Sequence, residues 1–97
     1  MRDVFEVRRE MGCTRAEFIG WLPGATRHAS FQINDDLVTV MTHGGRVRIF
    51  LEEKPPRRIG LFAIPVLGVT FSFLGLDKPT REDFLTHFDL YTRRGGG

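Results

Sequence analysis

The sequence predicts an α+β fold in which an antiparallel meander sheet carries two amphipathic helices on one face, in the order β-α-β-β-β-β-α. Three observations predict it: turn signals between short apolar segments, a long uncharged stretch with period-two alternation, and two helical segments that begin with capping residues. A chain of 97 residues fits one domain. We expect residues 1–92 to form it and residues 93–97 to be a flexible tail rich in Arg and Gly.

The segment DVFEVRR predicts the first strand. Phe5 and Val7 fall on one side of this strand, and Val4, Glu6 and Arg8 fall on the other. Because successive side chains of a strand point to opposite faces, this alternation gives the strand one apolar side.

The segment CTRAEFIGWLPG predicts the first helix. Thr14 is the expected N-cap, and Glu17 three residues later completes a capping box. The apolar side of this helix consists of Phe18, Ile19, Trp21 and Leu22. Pro23-Gly24 is expected to end it.

A hairpin with a turn at Asp35-Asp36 starts the predicted meander. This turn pairs Ile33 with Val38 and Phe31 with Val40. The resulting register places the apolar residues on one face, and a slip of one residue would reverse every side chain. The expected core face contains Phe31, Ile33, Val38, Val40, Val47, Ile49 and Leu51.

Two further turns extend the meander. A two-residue turn at Gly44-Gly45, which requires positive φ at both positions, pairs Val40 with Ile49. A turn at Pro55-Pro56 then sets Ile49 near Phe62. Both turns keep the same apolar face.

The stretch IGLFAIPVLGVTFSFLGL, from Ile59 to Leu76, carries no charge and reaches the length at which a membrane helix must be considered. Its second half nevertheless alternates with period two, which indicates a strand with one buried face. The buried positions are Leu67, Val69, Phe71 and Phe73. We therefore predict one long strand bent or broken at Pro65, or two consecutive strands, and no membrane span.

The segment PTREDFLTHFDLY predicts the second helix, with Thr80 and Asp83 as a second capping pair. Its apolar residues at helical spacing are Phe84, Leu85, Phe88 and Tyr91. The complete order of elements resembles one half of a TATA-binding-protein-like fold, or a shortened helix-grip domain. The resemblance is one of topology and implies no function, because such folds host many.

Composition and motifs exclude several functional classes. Fourteen Lys and Arg face twelve Asp and Glu, so the formal net charge is only +2, far below that of a dedicated nucleic-acid binder. The single cysteine cannot form an internal disulfide, and no signal peptide is visible, which favours a cytoplasmic location. His28, His43 and His87 lack the spacing of zinc ligands, so we predict neither a metal nor a cofactor.

The face opposite the predicted core is the candidate functional surface, because it mixes apolar and arginine side chains. The candidate residues are Leu37, Met41, His43, Arg46, Arg48, Phe50 and Leu61. We expect a protein partner, most simply a second copy in a homodimer. The alternatives are an anionic or apolar small ligand between helix and sheet, and RNA on Arg46 and Arg48.

An enzyme dependent on Cys13 is the least favoured alternative. Cys13 immediately precedes the expected N-cap and has Arg15 nearby, and both features lower the pKa of a thiol. A nucleophilic mechanism also needs a base, and the sequence places none beside it. A structural cysteine is therefore favoured.

The candidate surface is subject to one further alternative, in which another segment of the same chain covers it.

Overall fold

The computed structural model describes residues 4–96 and confirms the predicted class and order of elements. The elements are β1 (Val4–Met11), α1 (Arg15–Ala25), β2 (Phe31–Asn34), β3 (Leu37–Met41), β4 (Arg46–Ile59), β5 (Phe62–Leu74) and α2 (Lys78–Gly96). The five strands form one sheet in the order β1-β5-β4-β3-β2, and all neighbouring strands are antiparallel. The first strand therefore lies beside the last one.

The predicted capping box of α1 is confirmed. The Thr14 hydroxyl accepts from the Glu17 amide at 3.1 Å, and the Glu17 carboxylate accepts from the Thr14 amide at 2.8 Å. The predicted end at Pro23-Gly24 is wrong, because helical hydrogen bonds continue to Ala25 and beyond it to the Thr26 amide. Gly24 serves helix packing, since a side chain there would clash with the Tyr91 ring of α2.

The second helix begins at Lys78, earlier than the predicted start at Thr80. Asp77 caps it: its carboxylate accepts from the Thr80 amide at 3.0 Å, and its carbonyl accepts from the Arg81 amide at 3.0 Å. Hydrogen bonds from the side chain and the backbone of Thr80 lower the pKa of the Asp77 carboxyl group. The helix continues to Gly96, over most of the residues predicted as a tail, and Gly97 lies outside the described residues. Flexibility of residues 93–97 stays a prediction.

The first hairpin of the meander has the predicted register. Ile33 pairs with Val38 and Phe31 with Val40, on either side of the turn at residues 35–36. Asp35 adopts a φ of 53°, a left-handed conformation that Asp tolerates better than most residues.

The predicted register of the second hairpin is wrong by two residues. Val40 pairs with Val47, not with Ile49, across a four-residue connection, residues 42–45. Neither glycine of this connection has positive φ. Gly45 is needed because a side chain there would clash with the Leu74 carbonyl oxygen. Since the shift is an even number of residues, the predicted faces of β3 and β4 are preserved.

The predicted turn at Pro55-Pro56 is also wrong. β4 runs through both prolines with a register shift between Lys54 and Arg57, and the chain reverses only at residues 60–61. Consequently Ile49 pairs with Phe71, not with Phe62. Proline removes a backbone donor, but at this point β4 has left its pairing with β3 and needs only the bonds to β5.

Beyond the edges of β1 and β3, the ends of β4 and β5 form a two-stranded ribbon, residues 54–66, which we call the arm. The arm contributes to an elongated molecule with principal extents of 47 × 26 × 23 Å. The uncharged stretch Ile59–Leu76 thus begins at the end of β4, passes through the turn and continues as β5, which is continuous through Pro65. Among the helices of residues 4–96, none is long and apolar enough to cross a membrane.

The core lies on the predicted face of the sheet, but Ile33, which was expected in it, is 39% exposed on the edge strand β2. Phe71 and Phe73 of β5 are fully buried, as predicted, and pack edge-on against Phe84 and Phe88 of α2. The closest pair is Phe71 and Phe88, with ring centroids 5.1 Å apart. Phe18 of α1 reaches Phe88 at 5.6 Å, so one aromatic cluster joins the sheet to both helices.

Candidate functional site

The strand register assigns most of the predicted interaction residues to the face opposite the core, which we call the open face. Phe50 lies between Leu37 of β3 and Thr70 of β5, and Arg48 lies one step along the same face. Met41 and Arg46 form the next pair on this face. Five of the seven candidates, Leu37, Met41, Arg46, Arg48 and Phe50, therefore share one surface.

The remaining two candidates lie elsewhere. His43 is in the connection between β3 and β4, and Leu61 is in the turn of the arm. The prediction placed Leu61 on a strand because it assumed a turn at Pro55-Pro56. With the turn at residues 60–61, Leu61 stands at the far end of the arm and not over the centre of the sheet.

The open face is uncovered by the described part of the chain. Phe50 is 48% exposed and Met41 is 49% exposed, although both belong to strands inside the sheet. Large apolar side chains at such positions are normally buried, and an exposed apolar patch usually marks a contact surface. The alternative in which another segment of residues 4–96 folds over this face does not occur.

A hollow lies beside Phe50 on this face. Gly68 of β5 has no side chain, and a cavity of about 570 Å³ opens above it, bordered by Arg8, Phe50 and Thr70. Lys54 crosses this hollow to reach Glu10 at 3.5 Å. A Cβ at Gly68 would lie 2.8 Å from the Lys54 Cε, so the Lys54 side chain covers the space directly above Gly68. The open face therefore carries both an aromatic projection and an adjacent depression.

Charges of both signs are distributed over the open face. β1 contributes Glu6 and Arg8, and β4 contributes Arg46 and Arg48, with the small residues of β5 between the two strands. Because the positive charge is interspersed with carboxylates, the surface lacks the concentrated basic character that phosphate binding requires. RNA binding by Arg46 and Arg48 stays a prediction.

The end of the arm is a second exposed apolar patch, which the sequence reading missed. Leu61 is fully exposed, Phe62 is 74% exposed and Ile59 is 55% exposed. Arg57 and Arg58 precede this patch. The signal was present in the sequence as Gly60, between Ile59 and the apolar segment that begins at Leu61, and Gly60 does adopt a φ of 60°. The adjacent prolines, which are the stronger turn signal, obscured it.

The surroundings of Cys13 do not suit a nucleophile. Burial, followed by the negative charge of Glu17, raises the pKa of the Cys13 thiol to about 11. The thiol borders a cavity of about 430 Å³ between β1 and the two helices, together with Trp21 and the Arg9–Asp89 ion pair. A raised pKa disfavours the thiolate that nucleophilic chemistry requires. These features favour the structural reading of Cys13.

A third cavity brings together side chains that are distant in sequence. His28, His43 and His87 border a cavity of about 610 Å³ between the ends of α1, α2 and β3. His87 Nε2 lies 3.0 Å from the Gly24 carbonyl oxygen and must donate to it, which leaves Nδ1 of the neutral ring as an acceptor. Among residues 4–96, no three His, Cys, Asp or Glu side chains are arranged to hold a metal ion. The convergence of these histidines was not predicted.

The wall of the histidine cavity includes strained backbone and an ion pair. Arg27 and His28 both have positive φ, 55° and 62°, which residues with a side chain rarely adopt. The Arg27 guanidinium lies 2.9 Å from the Asp83 carboxylate at the same wall. Such strain is often retained near functional sites.

Comparisons of the chain with protein family models, with curated proteins and with solved structures give no match.

Proposed function

We propose that this domain functions by association through its open face, and that the partner is a second copy of the chain. The observation that carries the proposal is Phe50, a large apolar side chain that is 48% exposed in the middle of a sheet and stands beside the hollow above Gly68. An isologous dimer uses the same surface on both copies, so that surface must be complementary to itself. Phe50 and Arg8 stand at the same level on opposite sides of β5, so this face can meet its own copy through them.

The arrangement of charges supports a two-fold axis that runs parallel to the strands above β5. Because β1 and β4 flank β5, this axis places β1 of one copy above β4 of the other. Arg48 and Glu6 occupy the same level of the sheet, so Arg48 then faces Glu6 of the second copy. Phe50 in the same way faces Arg8 of the second copy, a cation–π contact. Both contacts are formed twice. At the level of Gly68 the same axis sets Glu52 opposite Glu10 of the second copy, and Lys54, which lies 3.5 Å from Glu10, offsets part of this like charge.

The spacing between two packed sheets suits the side chains of the open face. Two packed sheets lie about 10 Å apart, a distance that side chains such as Phe50 and Arg48 can fill. A stable interface buries about 800 Å² on each partner. The small residues Thr70 and Ser72 along the axis leave room for the larger side chains of the second copy.

Sedimentation equilibrium of the wild type and of Phe50→Glu tests this proposal. The wild type is expected as an oligomer, and Phe50→Glu is expected to halve its mass while keeping the circular dichroism of the fold. The ring no longer packs between the two sheets, and an ion pair of the new carboxylate with Arg8 of the second copy does not repay the desolvation of both charges. Phe62→Glu, an equal change on the arm, is the control and should leave the mass unchanged.

Three results would contradict the proposal. A monomeric wild type at high protein concentration would show that the partner is not a second copy. Dissociation by Phe62→Glu with no effect of Phe50→Glu would move the contact to the arm. An unfolded Phe50→Glu protein would show that this residue supports the monomer itself.

Binding of a small anion with an apolar body is a second candidate function, and the histidine cavity favours it. The cavity combines three histidines with the apolar residues Ala29 and Phe84, and its volume of about 610 Å³ is within the range of ligand pockets. Benzoate, an anion with an apolar ring, is a suitable probe. We expect benzoate to shift the NMR resonances of the His87 ring in the wild type. The resonances of residues outside the cavity should remain unchanged. Unchanged resonances at millimolar benzoate would contradict this function.

A further inference from the structure

The outer edge of β1 is a long strand edge whose backbone groups have no partner in the described part of the chain. β1 pairs with β5 along its whole length, from Val4 to Met11, and no other backbone segment within residues 4–96 hydrogen-bonds to it. Unpaired strand edges are templates for further strands, and proteins usually protect them with prolines, bulges or short strands.

The other edges of this sheet are protected in those ways. β2, at the opposite edge, has only four residues. The arm carries a bulge between Lys54 and Arg57 and contains Pro55, Pro56 and Pro65. β1 has eight residues and contains neither proline nor glycine. Among the edges of this sheet, β1 is therefore the one suited to accept a strand.

The edge is also held in a fixed position. Arg9 of β1 forms an ion pair with Asp89 of α2. The Arg81 guanidinium of α2 lies over the Phe5 ring at 4.3 Å. Because α2 holds β1 from the core side, the strand does not need to become ordered when it binds, which lowers the entropic cost of association.

The charges of β1 identify the strand that fits. In a continuous antiparallel sheet, paired residues share a face, so the register can change only in steps of two residues. When Val7 lies opposite Val7 of a second copy, Glu6 lies opposite Arg8 of that copy, and this pair is formed twice. A shift of one step brings Glu6 opposite Glu6, and a shift in the other direction brings Arg8 opposite Arg8. Opposite charges across strands stabilise pairing and like charges oppose it.

We propose that two copies of this chain pair β1 with β1 in the antiparallel register centred on Val7, forming one ten-stranded sheet. The two-fold axis of this pairing is perpendicular to the sheet, whereas the axis of the open-face contact is parallel to it. The two axes do not intersect, because one passes above β5 and the other lies outside β1, so the two contacts do not combine into a closed tetramer with perpendicular two-fold axes. The edge pairing uses the backbone edge of β1, whereas the open-face contact uses side chains, although Glu6 and Arg8 take part in both.

Disulfide cross-linking in the Phe50→Glu background tests this register without the open-face contact. The two variants Glu6→Cys and Arg8→Cys are mixed in equal amounts and oxidised with oxidised glutathione. Facing residues on paired strands have Cα atoms within disulfide range, about 5 Å apart. We expect a covalent dimer in the mixture that is at least tenfold more abundant than in either variant alone.

The single variants are the matched controls. In the proposed register Glu6 of one copy lies about 8 Å from Glu6 of the other, by the strand spacing and two residues of rise, which is beyond disulfide range. Cys13 is buried in both variants, and the Phe50→Glu protein without an added cysteine shows its background. Circular dichroism verifies that each variant is folded.

Two results would overturn the proposal. Equal cross-linking in the mixture and in Glu6→Cys alone would exclude the register centred on Val7. No covalent dimer in a folded mixture would exclude a second copy as the strand that occupies this edge, and a strand from a different protein would then be the alternative. Either result leaves the test of the open-face contact unaffected. The cross-linking reports whether Glu6 faces Arg8 of the second copy, whereas the open-face contact places Glu6 opposite Arg48.

Discussion

Truncation of Phe71 is expected to remove a large part of the free energy of unfolding of this domain. Phe71 is fully buried, and its ring lies 5.1 Å from the ring of Phe88 and 6.3 Å from that of Phe84. Phe→Ala in a core costs about 3–5 kcal/mol, and the edge-on aromatic contacts place this case in the upper half of that range. A domain of 97 residues has about 5–15 kcal/mol in total. The variant therefore lies close to the limit of folding.

Urea unfolding followed by circular dichroism measures this loss, at one fixed protein concentration because association also stabilises the fold. With a slope of about 1.5 kcal/mol per molar urea, a loss of 4 kcal/mol lowers the midpoint by about 3 M. Phe62→Ala is the control, since it removes the same atoms from an exposed ring, and Thr70→Ala tests the opposite face of the same strand. Both should lower the midpoint by less than 1 M. Equal midpoints for Phe71→Ala and Phe62→Ala would refute the assigned faces of β5.

Three further predictions concern particular positions. Gly45→Ala should lower the free energy of unfolding by more than 1 kcal/mol in urea unfolding, because its Cβ would clash with the Leu74 carbonyl, whereas Gly20→Ala in α1, with open space around it, should raise it by about 0.5–1 kcal/mol. Thr14→Ala should cost about 1 kcal/mol in the same measurement, and no loss would show that the capping box is not formed. The Cys13 thiol should resist iodoacetamide at pH 7.5 until urea unfolds the protein. Since its pKa is raised in the folded state, the stability that its neutral form contributes should be lost as the pH rises from about 9 to about 11, and a Cys13→Ala variant should lack this loss.

The sequence predicted the faces of the sheet better than its turns. Alternation alone placed Phe71 and Phe73 in the core and Arg48 and Phe50 outside it, because side-chain direction depends only on the parity of the register. The position of a turn depends on tertiary contacts as well. Gly45 is required by the nearby backbone of β5, which no local pattern reveals.

The arm and the histidine cavity could not be predicted for a related reason. Pro55-Pro56 is a strong turn signal, but it is tolerated inside β4 because only one neighbouring strand is present there. His28, His43 and His87 meet only after the end of α1, the β3–β4 connection and α2 are packed together. Both features follow from the topology of the whole sheet and its helices.

Isotope-filtered NOE spectroscopy tests the central claim, self-association through the open face, most directly. A sample that mixes labelled and unlabelled copies of the wild type reports only contacts between copies. We predict filtered NOEs from the Phe50 ring protons to the Arg8 side chain of the other copy, and none between the buried rings of Phe71 and Phe88. A sample that is associated but shows its filtered NOEs only at the arm, or one with none at Phe50, would contradict the claim.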